Sequence, residues 1–329
     1  MIILVAAFQV AAVVLLAAQR EWIVQFGDTV YLRTMPVDPR DIFRGDYVRL
    51  DYEISRLPRK LWADDLKNHP RLTSSSRSAE DLRVFTVLKK NSEGLGQAVR
   101  VTSQRPESGF FVRGRIDWYR ENVIRVNYSL EALFVEQGKG IEIEKKRGRG
   151  EEMRIPMEVE VGVGENGLGV IKGYRWSPVG LGLQIDRGED GQPIRARLSL
   201  LNASEEPLAV VDLPRGQSYE LRGDFRTSYR RNQWRWVGRK DRPRTSQEDI
   251  VVLQPKETHE TVINFNNPDW FIRKRGRKIS LSEDRERNWQ RFRFIYRPPP
   301  PSKINDLQNS ERVYNDEILS AAFRGARVD

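Results

Sequence analysis

Residues 44–54 read Arg44-Gly45-Asp46-Tyr47-Val48-Arg49-Leu50-Asp51-Tyr52-Glu53-Ile54. A turn opens the stretch: Gly45 supplies backbone freedom and Asp46 a side-chain acceptor. Strict alternation follows. Val48, Leu50, Tyr52 and Ile54 fall on one side, and Tyr47, Arg49, Asp51 and Glu53 on the other. A period of two predicts a strand with one face in a core and the other in water. Just upstream, Asp38-Pro39-Arg40-Asp41 has Asp and Pro in the first two places of a type I turn.

The same reading extends downstream. Residues 83–89 and 97–103 read as strands flanking the turn cluster Asn91-Ser92-Glu93-Gly94, and 110–118 and 123–128 flank Arg120-Glu121-Asn122. Residues 158–163 and 169–174 are joined by Gly164-Glu165-Asn166-Gly167, where Asn-Gly is a hairpin signal. Short helices are expected only over 57–66 and 141–147, and the Ser-rich stretch 66–81 reads as a polar loop.

Gly45-Asp46-Tyr47, Leu50 and Tyr52 spell G-D-Y-x-x-L-x-Y, preceded by Pro36-Val37-Asp38-Pro39-Arg40-Asp41. On this motif the chain resembles the GDYXXLXY family of membrane-anchored bacterial proteins. Val126-Asn127-Tyr128, the run Leu133-Phe134-Val135-Glu136-Gln137-Gly138 and the hairpin over 159–172 are similar to that family too, so the resemblance covers roughly residues 5–175. It implies a membrane tether and a β-rich domain, and it implies no activity. Pro36, Asp38, Pro39, Arg40, Asp41, Gly45, Asp46, Tyr47, Leu50 and Tyr52 are its motif residues here, with a structural or binding role.

Residues 1–18 are apolar apart from Gln9, and Gln19, Arg20, Glu21 and Trp22 follow. As a helix the run rises about 27 Å, close to the ~30 Å hydrocarbon layer of a bilayer. Trp22 suits the interface. A cleaved signal peptide would want a basic leader and a clearer small-residue site than Ala17-Ala18-Gln19. A buried core helix would not be apolar on every side at this position. Arg20, Arg33 and Arg40 follow the span and no basic residue precedes it, which by the charge rule alone favours a cytoplasmic body. Loss of a short basic leader through a mis-assigned start would reverse that. The expectation is a single-pass cell-membrane protein with its soluble domains extracytoplasmic.

Ser177-Pro178 and the step at Gly180 and Gly182 mark a boundary. Beyond it, residues 194–202, 208–212, 217–222, 233–238, 250–253, 260–265 and 291–297 read as short strands between turns, a spacing that suggests an antiparallel sandwich. Leu198-Ser199-Leu200-Leu201-Asn202-Ala203-Ser204, before Pro207, resembles strand B of bacterial immunoglobulin-like modules. Leu253-Gln254-Pro255-Lys256-Glu257-Thr258 is similar to their L-x-P-G-E-S turn, with Lys256 in place of Gly. Such modules bind or space more often than they catalyse. The four prolines at 298–301 stiffen the exit. In the tail, Tyr314, Ile318, Ala321 and Ala322 recur at helical spacing, which fits a docking helix or a frayed end. The fold class is mainly β: an anchor over 1–22, a GDYXXLXY-type domain over 23–176, an immunoglobulin-like sandwich over 177–300 and a Pro-led tail over 301–329.

The absence of cysteine excludes disulfides, thiol catalysis and thiolate metal sites. Two histidines, His69 and His259, are too few for a structural zinc site without thiolates, and neither has a triad partner visible in sequence, so both read as surface residues. Gly162, Gly164, Gly167 and Gly169 lie in a hairpin with no helix after it, which is not a phosphate loop. No cofactor and no metal is expected. Asp38, Asp41 and Asp46 have turn roles, and Asp51 and Glu53 lie beside Arg49 on the wet face, so paired acid–base carboxylates are not expected. Thr34-Met35-Pro36 followed by Gly45-Asp46 is similar to the S-M-x-P…G-D segment of type I signal peptidases, with Thr34 at the place of the Ser nucleophile and no lysine in a matching context.

The formal net charge of +10 favours polyanions such as phospholipid head groups, cell-wall polymers or nucleic acid, and equally describes a solvated surface. Arg226, Arg230, Arg231, Trp234, Arg235, Trp236 and Arg239 interleave cations with aromatics. They read either as a polyanion patch or as an exposed hairpin whose two tryptophans pack on one face. The leading expectation is a non-enzymatic envelope protein that binds or scaffolds a partner at the membrane surface: a protein, an anionic lipid or a cell-wall polymer. A membrane-associated hydrolase and a cytoplasm-facing lipid or nucleic-acid binder are the alternatives, nucleic acid being the less favoured ligand.

Overall fold

The computed structural model describes residues 2–35, 47–74, 80–120, 122–136, 139–146, 153–189, 191–223, 244–267, 270–274, 277–280 and 291–324. The protein is mainly β, with one long apolar helix at the N-terminus and several antiparallel sheets. Its chain divides into two compact units. Unit 1 holds residues 1–144 and 157–176; unit 2 holds 145–156 and 177–329.

Helix α1 (Ile2–Phe26) is long and apolar enough to cross a bilayer. Ile3, Leu4, Phe8 and Leu15 are each at least 70% exposed. Leaving a large apolar side chain in water forgoes about 1.5–3 kcal/mol. Summed along α1, that exceeds the net stability of a typical domain, about 5–15 kcal/mol. At its C-terminal end Ile23 is buried, and Gly27 then hands the chain to β1 (Asp28–Arg33).

Unit 1 continues through β2 (Tyr47–Arg49), β3 (Arg56–Pro58), β4 (Arg83–Lys90), β5 (Gly96–Thr102), β6 (Phe111–Arg120), β7 (Val123–Asn127) and β8 (Ala132–Phe134). The chain contributes β9 (Met153–Arg154) to unit 2 and returns with β10 (Met157–Val163) and β11 (Gly169–Trp176). β1, β10 and β11 form one antiparallel sheet; β3, β7, β6, β4 and β5 form a second; β2 pairs β8. Val30, Ile116 and Val159, from different strands of these sheets, meet Leu50, just past β2, in one core.

The alternation over 48–54 places its apolar residues as expected: Val48, Leu50, Tyr52 and Ile54 are all buried. The strand is shorter than the pattern, because a 3-10 turn, Glu53–Ser55, closes it. The opposite side is not uniformly wet. Asp51 is only 2% exposed, contrary to the wet-face expectation. The hairpin at Asn166-Gly167 forms as read, with Gly167 at a φ of +77° that glycine adopts without strain. Over 57–66 the chain is strand, then the 3-10 turn Arg59–Leu61, then the helix Asp64–Lys67; the stretch read as a polar loop holds a further short helix, Pro70–Ser74, where Pro at the first helical position favours a helix start, and another helix spans Lys139–Lys146.

Unit 2 adds β12 (Val179–Arg187), β13 (Pro193–Asn202), β14 (Leu208–Val211), β15 (Tyr219–Gly223), β16 (Ile250–Leu253), β17 (Thr258–Asn264), β18 (Phe271–Lys274), β19 (Arg277–Ser280), β20 (Arg291–Tyr296), β21 (Ile318–Leu319) and β22 (Phe323–Arg324). One sheet runs β17-β13-β12-β9. Another pairs β15 with β20, whose far side takes β21 and β22. Leu181, Leu198 and Leu200 of the first share a core with Leu221, Phe294 and Tyr296 of the second. Gly180 and Gly182 lie inside β12. A Cβ on either would press on Met153 or Arg154, so glycine lets β9 lie close.

The tail is neither helix nor frayed end as far as Arg324. Ile318 and Phe323 are buried, and their segments add two short strands to β20. A spacing that fits a helix also fits short extended pieces, and the open edge of β20 supplies the hydrogen-bonding partner that selects them.

Candidate functional site

Of the motif residues, Tyr47, Leu50 and Tyr52 fall among those described. Pro36, Asp38, Pro39, Arg40, Asp41, Gly45 and Asp46 lie outside the described residues, as do Arg226, Arg230, Arg231, Trp234, Arg235, Trp236 and Arg239. Leu50 and Tyr52 are buried, and the Tyr52 hydroxyl donates to the Leu130 carbonyl at 2.7 Å. That bond ties the motif strand to the turn between β7 and β8. In the same turn the Leu50 N–H donates to the Glu131 carbonyl at 2.8 Å, and the Glu131 carboxylate accepts the Tyr128 N–H at 2.7 Å. Burial holds the Glu131 carboxyl above its ordinary range, against these hydrogen bonds and Arg125. The Tyr128 hydroxyl donates to Ile54 O at 2.8 Å and lies 2.7 Å from the Thr86 hydroxyl; burial pushes that phenol up. These contacts give the two described motif side chains structural work.

Asp51 is where the polar side of the motif becomes chemistry. Arg56 Nη2 lies 2.6 Å from Asp51 Oδ2, and Arg125 Nη2 lies 3.4 Å from Oδ1. Arg125 also reaches Asp117 at 3.3 Å, and Arg56 Nη1 lies 3.1 Å from the Met35 sulfur. The correction to the wet-face expectation has a plain cause. Alternation fixes which side a residue points to, but not what covers that side. Here β3 and β7 bring two guanidiniums over it. A parallel arrangement crosses β1, β10 and β11: Arg33 Nη2 lies 2.6 Å from Glu158 Oε1, and Arg175 Nε lies 2.8 Å from Glu158 Oε2. The Arg175 guanidinium also sits 3.7 Å from the centroid of the Tyr31 ring. Both carboxylates are neutralised by flanking arginines, which suits buried scaffolding better than proton transfer.

Thr34 is buried, and its hydroxyl donates to Met157 O at 3.0 Å, so its oxygen is engaged with the backbone of β10. Nothing in that arrangement activates it as a nucleophile.

His259 is not a free surface residue. Its Nε2 lies 2.7 Å from Asp212 Oδ2, at the end of β14, and its side chain is about a quarter exposed. The hydrogen bond with Asp212 holds the imidazole above its ordinary pKa, with partial burial opposing and the carboxylate charge adding to it. Tyr219 is buried nearby. Burial raises its phenol well above its usual range, the Thr261 hydroxyl alongside acts the other way, and Tyr296 and Asp212 add to the rise. No sequence signal joins residues 212 and 259; they come from the end of β14 and from β17, strands of different sheets that the fold brings together.

A groove of about 660 Å³ lies at the foot of α1. Gln19, Trp22 and Phe26 of the helix form one wall; Asp28, Phe110 and Glu165 belong to the rest. Trp22 and Phe26 are each about two-thirds exposed, with ring centroids 4.5 Å apart. The floor is held by Ile23, which packs on Gly162 and Gly164. Among the described residues no three metal-ligating side chains converge.

A β-rich body carried on one exposed apolar helix, with buried tyrosines and compensated carboxylates behind its signature strand, is the class of protein that these features describe. The chain belongs to the GDYXXLXY family: the family's sequence profile, described as GDYXXLXY protein, matches residues 9–173. The match runs from within α1 to Gly173 in β11 and so covers most of unit 1, together with residues 145–156 of unit 2. A comparison with curated proteins finds no match.

Proposed function

We propose that this protein is a single-pass, membrane-anchored, non-enzymatic envelope protein that binds or scaffolds a partner at the membrane surface. The observation that carries the reading is α1: apolar on every side, unpacked over its outer turns, and continuous with the first strand of the body. A bilayer is the solvent in which such a helix is stable. On this reading the two units lie extracytoplasmically, and unit 2 is an immunoglobulin-like sandwich. The pair of antiparallel sheets sharing one core supports that assignment. A binding role fits better than catalysis because Asp51 and Glu158 are neutralised by arginines and Thr34 is bonded to backbone. The partner is an envelope protein or a polyanionic surface, which the net charge of +10 would attract.

The test is fractionation of cells expressing the full chain, followed by an alkaline carbonate wash and a C-terminal reporter of compartment. Retention in the washed membrane with the reporter outside is the expected result. Release into the wash, uncleaved, removes the anchor, and a reporter active only in the cytoplasm removes the extracytoplasmic placement.

A further inference from the structure

We propose that the groove at the foot of α1 holds the headgroup of an amine-bearing zwitterionic phospholipid of the host membrane. The inference rests on the anchoring reading above and specifies what the anchored protein meets. Depth comes first. At 1.5 Å per residue, residues 2–18 cross about 26 Å of a hydrocarbon layer about 30 Å thick. Residues 19–26 rise about 12 Å further, enough for the last ~4 Å of hydrocarbon and a headgroup layer of about 6 Å. Trp22, on the groove wall, therefore stands at headgroup height, with Gln19 just inside the hydrocarbon boundary and Phe26 at the outer edge of the headgroup layer.

Chemistry comes second. The groove wall carries two carboxylates, Asp28 and Glu165, beside the exposed rings of Trp22 and Phe26 and the ring of Phe110. Aromatic faces with carboxylates close by are a setting for an ammonium group. Three cations contact residues of the wall or their neighbours. Lys90 Nζ sits 4.1 Å from the Phe110 ring centroid and donates to Thr29 O at 2.8 Å. Lys172 Nζ lies 3.2 Å from Thr29 Oγ1 and 3.7 Å from Glu160 Oε1, and Arg105 Nη2 donates to Glu165 O at 3.0 Å. An ammonium has three donors and a guanidinium five, so these contacts leave capacity for phosphate oxygens. Carboxylates and aromatic rings on the wall, with cations close by, complement a phosphate joined to an ammonium. A phosphate joined to a neutral alcohol would lack the cation for Asp28 and Glu165.

The groove is also held in shape. A Cβ on Gly162 would lie 2.9 Å from Ile23 O, and one on Gly164 would lie 3.0 Å from the Ile23 side chain. Glycine at both places lets α1 seat directly on β10 and its turn. The wall formed by the helix is thereby fixed against the wall formed by the sheet.

The experiment uses the full chain, extracted in detergent, stripped of lipid and then offered equal amounts of dioleoyl phosphatidylethanolamine and dioleoyl phosphatidylglycerol. Retained lipid is counted by native mass spectrometry. Wild type should retain the ethanolamine lipid over the glycerol lipid by about tenfold, on the order of a single cation–π and carboxylate contact. Asp28→Asn combined with Glu165→Gln should bring that ratio to about one, and Trp22→Ala combined with Phe26→Ala should lower total retention severalfold. Equal retention by wild type, or a preference that survives the carboxylate substitutions, overturns the assignment of the groove. If the same chain stays in carbonate-washed membranes, the anchor stands and the groove proposal alone has failed; a chain that washes off removes both.

Discussion

Lys256 holds a backbone φ of +67° in the turn between β16 and β17, a conformation that costs a non-glycine residue roughly 1–2 kcal/mol. The immunoglobulin-like turn pattern has glycine at this place, and the geometry explains why. Lys256→Gly should raise the stability of unit 2 by about 0.5–1 kcal/mol after glycine's own entropy cost, read from chemical denaturation. Asp51 makes the opposite case. Removing it leaves Arg56 and Arg125 facing one another across a mostly buried space, so Asp51→Ala should cost about 3 kcal/mol or more, with Asp117 too exposed to compensate. A loss under 1 kcal/mol in the same denaturation assay would mean that the cluster is solvated. His259 supplies a pH dependence. Its folded-state pKa is raised, so the stabilisation from its contact with Asp212 is fully present below the ordinary imidazole pKa and is lost as pH rises through the folded value. Unit 2 should therefore lose stability as pH climbs through and above neutrality, and Asp212→Asn should flatten that slope in thermal melts taken across pH 5–9, a range of about four units around the imidazole value. None of these three positions could be read completely from sequence. The turn at 256 was visible as a pattern. Arg56 reaches Asp51 from five residues on, across a 3-10 turn, while Arg125 and the Asp212 partner of His259 lie far along the chain, and no local period encodes these meetings.

Between α1 and β1 the chain makes a joint rather than a flexible linker. The Gly27 N–H donates to Ile23 O at 2.9 Å, and a Cβ on Gly27 would fall 2.5 Å from that same oxygen and 3.0 Å from Val163 O. Gly27→Ala should therefore push the last helical turn off the sheet. Limited proteolysis should then cut near residue 27 at least severalfold faster than in wild type, with the body itself unchanged; an unchanged cleavage rate would show that the helix hangs loosely. Elements governed by local rules were readable beforehand. The Asn166-Gly167 hairpin needed only a positive φ and two flanking strands. The β4–β5 hairpin likewise closes through Asn91, whose Oδ1 accepts the Glu93 and Leu95 N–H groups. Elements governed by distant edges were not readable. β12 was obscured because Gly180 and Gly182 look like a break until β9 is seen lying on them. The tail was misread because its apolar spacing serves a helix and a pair of short strands alike, and β20 decides between them.

Among the described residues the protein has one buried core in unit 1, two in unit 2, and a helix that belongs to none of them over its outer turns. The helix was legible from the first eighteen or so residues, since a run apolar on all sides needs no partner to be recognised. The groove beneath it was not, because its walls come from residues 19–28, 109–111 and 163–166, three stretches that only folding assembles. Membership of the GDYXXLXY family extends over α1 and unit 1, and so over the joint on which the placement at a bilayer depends. The chain has no cysteine, so single cysteines can be introduced as unambiguous probes. The decisive measurement compares Leu15→Cys, in the exposed apolar part of α1, with Ser92→Cys, on the exposed β4–β5 turn, using a membrane-impermeant thiol reagent on intact cells. Labelling at position 92, and none at position 15 until detergent is added, is the predicted result. Ready labelling at position 15 of an uncleaved chain in aqueous buffer would contradict it.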